Sequence, residues 1–309
     1  MSLVLITHEA CLAHRMQPRH PERPERLVAV RDYLASVGLT TEWRNDAATP
    51  ITREETKRIH AARYVDTLHA LAPSRGLVAV DPDTFLGPGS ITAAEHAAGA
   101  MRDAVRLVLA GDAQRVFCAV RPPGHHAEES TGMGFCFFNN VALGACLALD
   151  APGVERVAIL DFDVHHGNGT VDIFQNDPRV LVCSSFQHPH YPERLFDVRR
   201  PNIVNTPLPA GTSGPAFRRA VEKDWISAVE RHRPDLILVS AGFDAHRADP
   251  LGDLELTEAD YTWVTEVIVS LANDYSKGRI VSTLEGGYDL DALARSVAAH
   301  LESLGTRLV

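Results

Sequence analysis

The sequence predicts an α/β protein built on a mostly parallel sheet covered by helices on both faces, a three-layer α/β/α arrangement. Three observations carry that reading. Short, continuous apolar runs (Arg115 to Val120, Val157 to Leu160, Val180 to Ser184, Leu236 to Val239 and Ile280 to Leu284) alternate with stretches of helical pattern. Strands without a polar alternation are those buried on both faces. Each run is followed at once by a cluster of unusual polar residues, and the C-terminal ends of strands are where open parallel sheets place their ligands. No linker, repeat or low-complexity stretch breaks the rhythm, so residues 1–309 are expected to form one domain.

Taken in order, Leu3 to Thr7 reads as the first strand. His20-Pro21-Glu22-Arg23-Pro24-Glu25-Arg26-Leu27 places prolines at the entry to a helix that runs to Val37 and stops at Gly38. From periodicity alone, the charges there read as a solvated helix start. Thr52-x-x-Glu55 is a capping box, and a further helix runs through Tyr64 to Leu71. Pro73 to Ser90 holds three prolines, three glycines and the acidic pair Asp81 and Asp83. It reads as a long loop, and loops of that length in a compact domain are often functional. Thr92-x-x-Glu95 is expected to cap an alanine-rich helix stopped by Gly111. Among the later helices the clearest are Pro215 to Arg231 and Glu258 to Tyr275.

Composition is that of an ordinary globular chain, 45% apolar and 23% charged. The formal charge of −10 argues against a general nucleic-acid or anionic-membrane surface. Cys11, Cys118, Cys136, Cys146 and Cys183 are odd in number and lack C-x-x-C spacing, which predicts reduced, mostly buried thiols. Neither a basic leader nor 18 consecutive apolar residues occurs, so the expected location is the cytoplasm.

The chemistry centres on Asp161-Phe162-Asp163-Val164-His165-His166-Gly167-Asn168-Gly169-Thr170. Two carboxylates and two imidazoles within six positions are costly to bury unless paired or metal-bound. In an extended chain Asp163 and His165 point the same way while Val164 packs into the core. Asp244, in a glycine-flanked turn after another strand, can complete a set of three ligands that leaves an open position for water. His125-His126, after a Pro-Pro-Gly turn, is the candidate base and acid. Each imidazole needs a partner on its far nitrogen, and Asp161 and Asn168 are available. The phenol of Tyr288, after Gly286-Gly287, can donate to a developing oxyanion. Phe135, on its residue type alone, reads as core rather than pocket wall.

Together, Arg121-Pro122-Pro123-Gly124-His125-His126-Ala127, the Asp161 to Gly169 motif, Ala241-Gly242-Phe243-Asp244 and Glu285-Gly286-Gly287-Tyr288 resemble the histone deacetylase superfamily. That group includes bacterial histone deacetylase-like amidohydrolases, acetylpolyamine amidohydrolases and acetoin-utilisation proteins, and it shares the arginase–deacetylase fold. The resemblance runs from His20 to the C-terminal helix. It implies Asp163, His165 and Asp244 as zinc ligands, with ferrous iron the alternative metal. It implies His125 and His126 as the catalytic pair, His126 being the base, with Asp161 and Asn168 behind them and Tyr288 polarising the carbonyl. Asp161, Ser184 and Ser185, with the backbone of Asp163 and His165, fall where the family holds a structural potassium ion.

Further positions follow from the same resemblance. Phe135 and Gly134 match one side of an acyl-lysine channel and Tyr191 the nearest candidate for the other, although Glu193-Arg194-Leu195-Phe196 replaces the usual glycine-rich continuation. Asp83 matches a residue that grips substrate backbone, Arg26 an arginine of the inner channel, and Gly286 part of the substrate site. Leu251 stands where members that prefer acetylated polyamines can carry a glutamate. The implied substrate is an acyl-lysine protein or peptide, with a small acylated amine as the alternative, and neither nucleic acid nor membrane is an expected partner. An arginase-like binuclear manganese site is disfavoured because the motifs supply three ligands around one metal. A scaffold that only binds acyl-lysine is disfavoured by the intact His125, His126 and Tyr288.

Overall fold

In the computed structural model, which describes residues 3–41 and 43–305, the strands are β1 (Leu3–Thr7), β2 (Arg44–Ala47), β3 (Val78–Ala79), β4 (Phe85–Leu86), β5 (Arg115–Cys118), β6 (Val157–Asp161), β7 (Val180–Gln187), β8 (Ile203–Leu208), β9 (Leu236–Ala241) and β10 (Ile280–Leu284). All but β3 and β4 pair in parallel in one eight-stranded sheet, in the order β2-β1-β5-β10-β9-β6-β7-β8. The helices are α1 (Glu25–Ser36), α2 (Arg53–Thr56), α3 (Ala62–Leu71), α4 (Ser90–Ala110), α5 (Asn140–Leu149), α6 (Asn168–Phe174), α7 (Gly214–Val221), α8 (Ser227–His232), α9 (Glu258–Tyr275) and α10 (Leu290–Gly305). Strands β5, β6, β7, β9 and β10 are buried at every position. Helices therefore cover both faces, α4 to α6 packing together in one layer and α1 with α7 to α10 in the other. One apolar core runs from Leu3 to Leu304, and all five cysteines are free, Cys146 alone being half-buried.

Several elements differ from the sequence reading, each for a physical reason. β2 has the sequence Arg-Asn-Asp-Ala and little burial; it is an edge strand held by backbone pairing to β1, so it has no apolar signature. β8 carries Pro207, which an edge strand tolerates because its outer N–H needs no ladder partner. Pairing with β8 extends β7 to Gln187, so Ser185 lies inside the strand and not after it. The loop from Pro73 to Ser90 contains the short antiparallel pair β3 and β4. Helix α4 starts at Ser90, two positions before the expected capping residue Thr92, because Gly89 takes the left-handed conformation (φ 85°) and turns the chain there. The stretch from Pro215 to Arg231 is α7 and α8 joined by a π-helical segment, Glu222–Ile226.

The entry to α1 corrects a more consequential expectation. Glu22 and Arg26 are fully buried, not solvated. Glu22 holds Arg121 through both carboxylate oxygens, Oε2 at 2.6 Å from Nη2, and lies 3.4 Å from Arg26 Nη1 and from His14 Nε2. Arg121 also donates to the carbonyls of Cys11 and His14. The network ties the segment before α1 to the loop after β5, which carries His125 and His126.

Candidate active site

β6 ends at Asp161, so Asp163 and His165 lie on bends beyond the strand rather than on it. The alternation still holds locally: Val164 is fully buried in the core, and its N–H donates to Asp244 Oδ1 at 2.9 Å, which draws the loop after β9 to the loop after β6. His165 Nδ1 lies 3.0 Å from Asp163 Oδ1 and 3.2 Å from Asp244 Oδ2. One donor atom from each of the three residues falls within 4.8 Å of the others, and all three side chains are buried. Asp244 Oδ2 accepts no hydrogen bond. An orphaned carboxylate oxygen beside a second carboxylate and an imidazole costs free energy unless a cation sits among them. Gly286 lines this cradle: its N–H donates to Asp163 Oδ2 at 2.9 Å, and a Cβ there would collide with Asp244 Oδ2 and lie 2.6 Å from Asp163 Oδ2. The residues fit a divalent cation of the zinc type, whose ligands are Asp, His and an open position.

The loop after β5 brings both histidines beside this cluster. His125 Nδ1 lies 3.0 Å from Asp161 Oδ2, and Nε2 is 3.8 Å from Asp163 Oδ2. Burial disfavours its charged form, but Asp163 and Asp161 outweigh burial and hold the imidazole well above its usual value. His126 Nδ1 lies 2.7 Å from Asn168 Oδ1. Burial, then the neighbouring His125 and His165, push His126 well below the usual value. Two adjacent imidazoles thus differ in charge preference because carboxylates outweigh burial at His125, whereas burial and two neighbouring imidazoles prevail at His126.

A cavity of about 230 Å³ opens over these groups, lined by Asp83, His126, Gly134, Phe135, His165, His190, Tyr191, Leu251 and Tyr288. Phe135 is a wall and not core; its ring meets Tyr288 edge-on, with centroids 5.9 Å apart. Gly134 has φ 55°, and a Cβ there would strike the His126 ring, so the backbone closes on His126 only because that residue is glycine. Tyr191 stands edge-on to His126 at 5.3 Å. Burial, and then Asp81, raise the Asp83 carboxyl to about 6. Arg26 is fully buried outside this cavity lining. It donates to the carbonyls of Gly287 (2.6 Å) and Glu285 (2.5 Å) and lies 4.9 Å from the Tyr288 ring centroid, so it holds the turn that carries Tyr288. Ser184 and Asp161 are register partners on β7 and β6, and Ser185 Oγ is buried with no hydrogen-bond partner.

Several residues of the site escaped the sequence reading. Glu285 Oε2 accepts from the N–H groups of Gly124 (2.7 Å) and His125 (3.2 Å), and its burial raises the carboxyl to about 7. Asp249 Oδ2 accepts from Tyr288 N at 2.6 Å. His190 stacks on His165 at 5.1 Å and reaches the Leu251 carbonyl at 2.9 Å. The histidine beside His165, His166, points elsewhere, to Asn205 Oδ1 at 3.0 Å. Glu285 stands in a motif already singled out for Tyr288, and its position directly after a buried strand was the available signal.

Comparison with known proteins shows the family of the chain. Residues 20–304 match the model of the histone deacetylase domain. The histone deacetylase-like amidohydrolase of Pseudomonas aeruginosa is 37% identical over 276 residues, covering 87% of this chain and 72% of that protein. Polyamine deacetylase HDAC10 of Mus musculus is 35% identical over 331 residues, covering 98% of this chain and 48% of that protein. The crystal structure of the HDA15 HD domain superimposes with a TM-score of 0.91 at 33% identity, covering 99% of this chain and 89% of that one. With its eight-stranded parallel sheet, its buried Asp-His-Asp cluster and this extent of similarity, the chain belongs to the histone deacetylase family of hydrolases.

Proposed function

We propose that this protein is a zinc-dependent deacylase that removes acetyl or other short acyl groups from lysine side chains of proteins or peptides, residues 1–309 forming one deacetylase domain. The observation that carries the reading is a single cavity whose lining includes His165 of the Asp-His-Asp cluster together with His126 and Tyr288. A divalent cation held by Asp163, His165 and Asp244 supplies Lewis-acid polarisation of a carbonyl and lowers the pKa of water.

The chain's own residues do the rest. His126, kept neutral by its surroundings, takes the proton from the attacking water. Tyr288 remains protonated, since burial raises it well above its usual value, and its phenol donates to the amide oxygen as negative charge develops there. His125, held in its charged form by Asp163 and Asp161, balances that charge, and the histidine pair returns a proton to the leaving amine. Phe135 and Tyr191 flank the acyl-amine stem and exclude water from it, Gly134 and Gly286 let the chain approach closely, and Asp83 offers an acceptor to substrate backbone. Asp161, Ser184 and Ser185, with backbone of Asp163 and His165, form the proposed structural potassium site; the unpartnered Ser185 Oγ supports it.

The second reading, a deacylase of acetylated polyamines or other small amines, draws support from the Mus musculus relative named as a polyamine deacetylase. A panel of acetyl-lysine peptides and N-acetylated polyamines, each assayed with and without chelator, tests both. Higher kcat/KM on lysine peptides, lost with chelator, is expected; higher kcat/KM on polyamines would install the second reading, and hydrolysis of neither would refute the proposed activity.

A further inference from the structure

The side-chain amide of Asn168 can face His126 in two ways, and the structure assigns the choice to Glu128. The hydrogen-bond partners of Asn168 Nδ2 are all acceptors: Glu128 Oε1 at 2.8 Å, the His126 carbonyl at 3.4 Å and Met133 Sδ at 3.4 Å. A carboxylate, a carbonyl and a thioether have no proton to give, so the NH2 group must point toward them and Oδ1 is left facing His126 Nδ1 at 2.7 Å. That oxygen can only accept. His126 therefore carries its proton on Nδ1, and Nε2 keeps an open lone pair. Turned over, the amide would set its oxygen against the Glu128 carboxylate and its NH2 against His126 Nδ1. The proton would then move to Nε2, where it blocks a base.

Glu128 is itself well anchored. The residue is buried, its N–H donates to the Thr131 carbonyl at 2.9 Å, and its carbonyl lies 2.9 Å from His60 Nδ1. Its second oxygen, Oε2, accepts from Arg194 Nη2 at 2.8 Å. Arg194 belongs to the segment Glu193 to Phe196, which follows the cavity residues His190 and Tyr191.

We propose that Glu128 is a positioning residue that fixes the orientation of the Asn168 amide and, through it, the tautomer of His126, with Arg194 as its anchor. The inference rests on the reading of His126 as base. Its test uses the metal-loaded enzyme and an acetyl-lysine peptide. Glu128→Gln can present either an oxygen or an NH2 to Asn168, so kcat should fall by about tenfold to a hundredfold, the usual effect of losing such an outer partner, with KM, metal content and thermal midpoint little changed. Adding Asn168→Asp should restore kcat, because the new carboxylate at 168 only accepts from His126 while the new amide at 128 donates to it. A structural role for Glu128 gives no reason for that rescue.

Unchanged kcat in Glu128→Gln beside an inactive His126→Ala would overturn the inference and leave the base reading standing, as would a double variant no better than the single one. Full turnover in His126→Ala would overturn the base reading and this inference with it. Independently of how any variant folds, 15N-histidine spectra of the wild type should show His126 as the Nδ1–H tautomer; an Nε2–H pattern would overturn the proposal.

Discussion

Tyr288 meets Phe135 edge-on across the cavity, and the Arg26 guanidinium lies against its ring. The ring is therefore held by packing. Tyr288→Phe should keep the metal and the fold while turnover drops about a hundredfold or more, the cost of losing an oxyanion donor; single-turnover rates beside metal analysis check this. Leu251 lines the same cavity and offers apolar contact with no charge. Leu251→Glu should shift the kcat/KM ratio toward acetylated polyamines, mostly through KM and less at high salt, by about 1 kcal/mol for a partly exposed pair. An unchanged ratio would remove Leu251 from the rim of the substrate site. At this scale the motif residues were legible because they cluster in sequence. Glu128 was not: its partner Asn168 lies 40 positions away, and a glutamate next to a second one, Glu129, resembles any surface charge.

The turn before α1 and the loop after β5 meet through Glu22, Arg26 and Arg121, a buried cluster that periodicity presented as a solvated helix start. Burial alone would raise the Glu22 carboxyl, but the Arg121 guanidinium outweighs it and holds the group below the usual carboxylate range. Glu22→Gln leaves two buried guanidiniums without their carboxylate, so urea unfolding should show a loss of about 3–5 kcal/mol. A second element-level device joins α10, α9 and β10: His300 Nδ1 lies 2.7 Å from Thr265 Oγ1, and Nε2 lies 2.9 Å from Ser282 Oγ. Burial pushes this imidazole down to about 3. The folded state thus binds the proton more weakly than the unfolded chain, whose histidine titrates near 6.5. The stability His300 contributes is complete above about pH 6.5 and is lost as pH falls from there toward the folded value. Between pH 6.5 and 4.5 the stability of wild type relative to His300→Gln should fall by about 1.4 kcal/mol per pH unit at most; a difference independent of pH would mean that His300 is not buried in its neutral form.

Across the whole molecule, the parallel sheet was legible because its inner strands are unbroken apolar runs that end in polar clusters. The edges β2 and β8 were not, since one is polar and the other holds a proline. The convergence of Asp163, His165 and Asp244 depends on bends beyond β6 and on the Val164 N–H reaching Asp244, which no periodicity encodes. Among the described residues no helix is long and apolar enough to cross a membrane. The central claim, that these three residues hold a metal on which deacylation depends, has a direct measurement: acetyl-lysine peptide turnover by chelator-stripped wild type and Asp244→Ala during zinc add-back. Stripped wild type should be inactive and recover fully at about one equivalent of zinc, while Asp244→Ala should recover nothing. Undiminished turnover by the stripped protein, or recovery of Asp244→Ala at the same equivalence point, would contradict it.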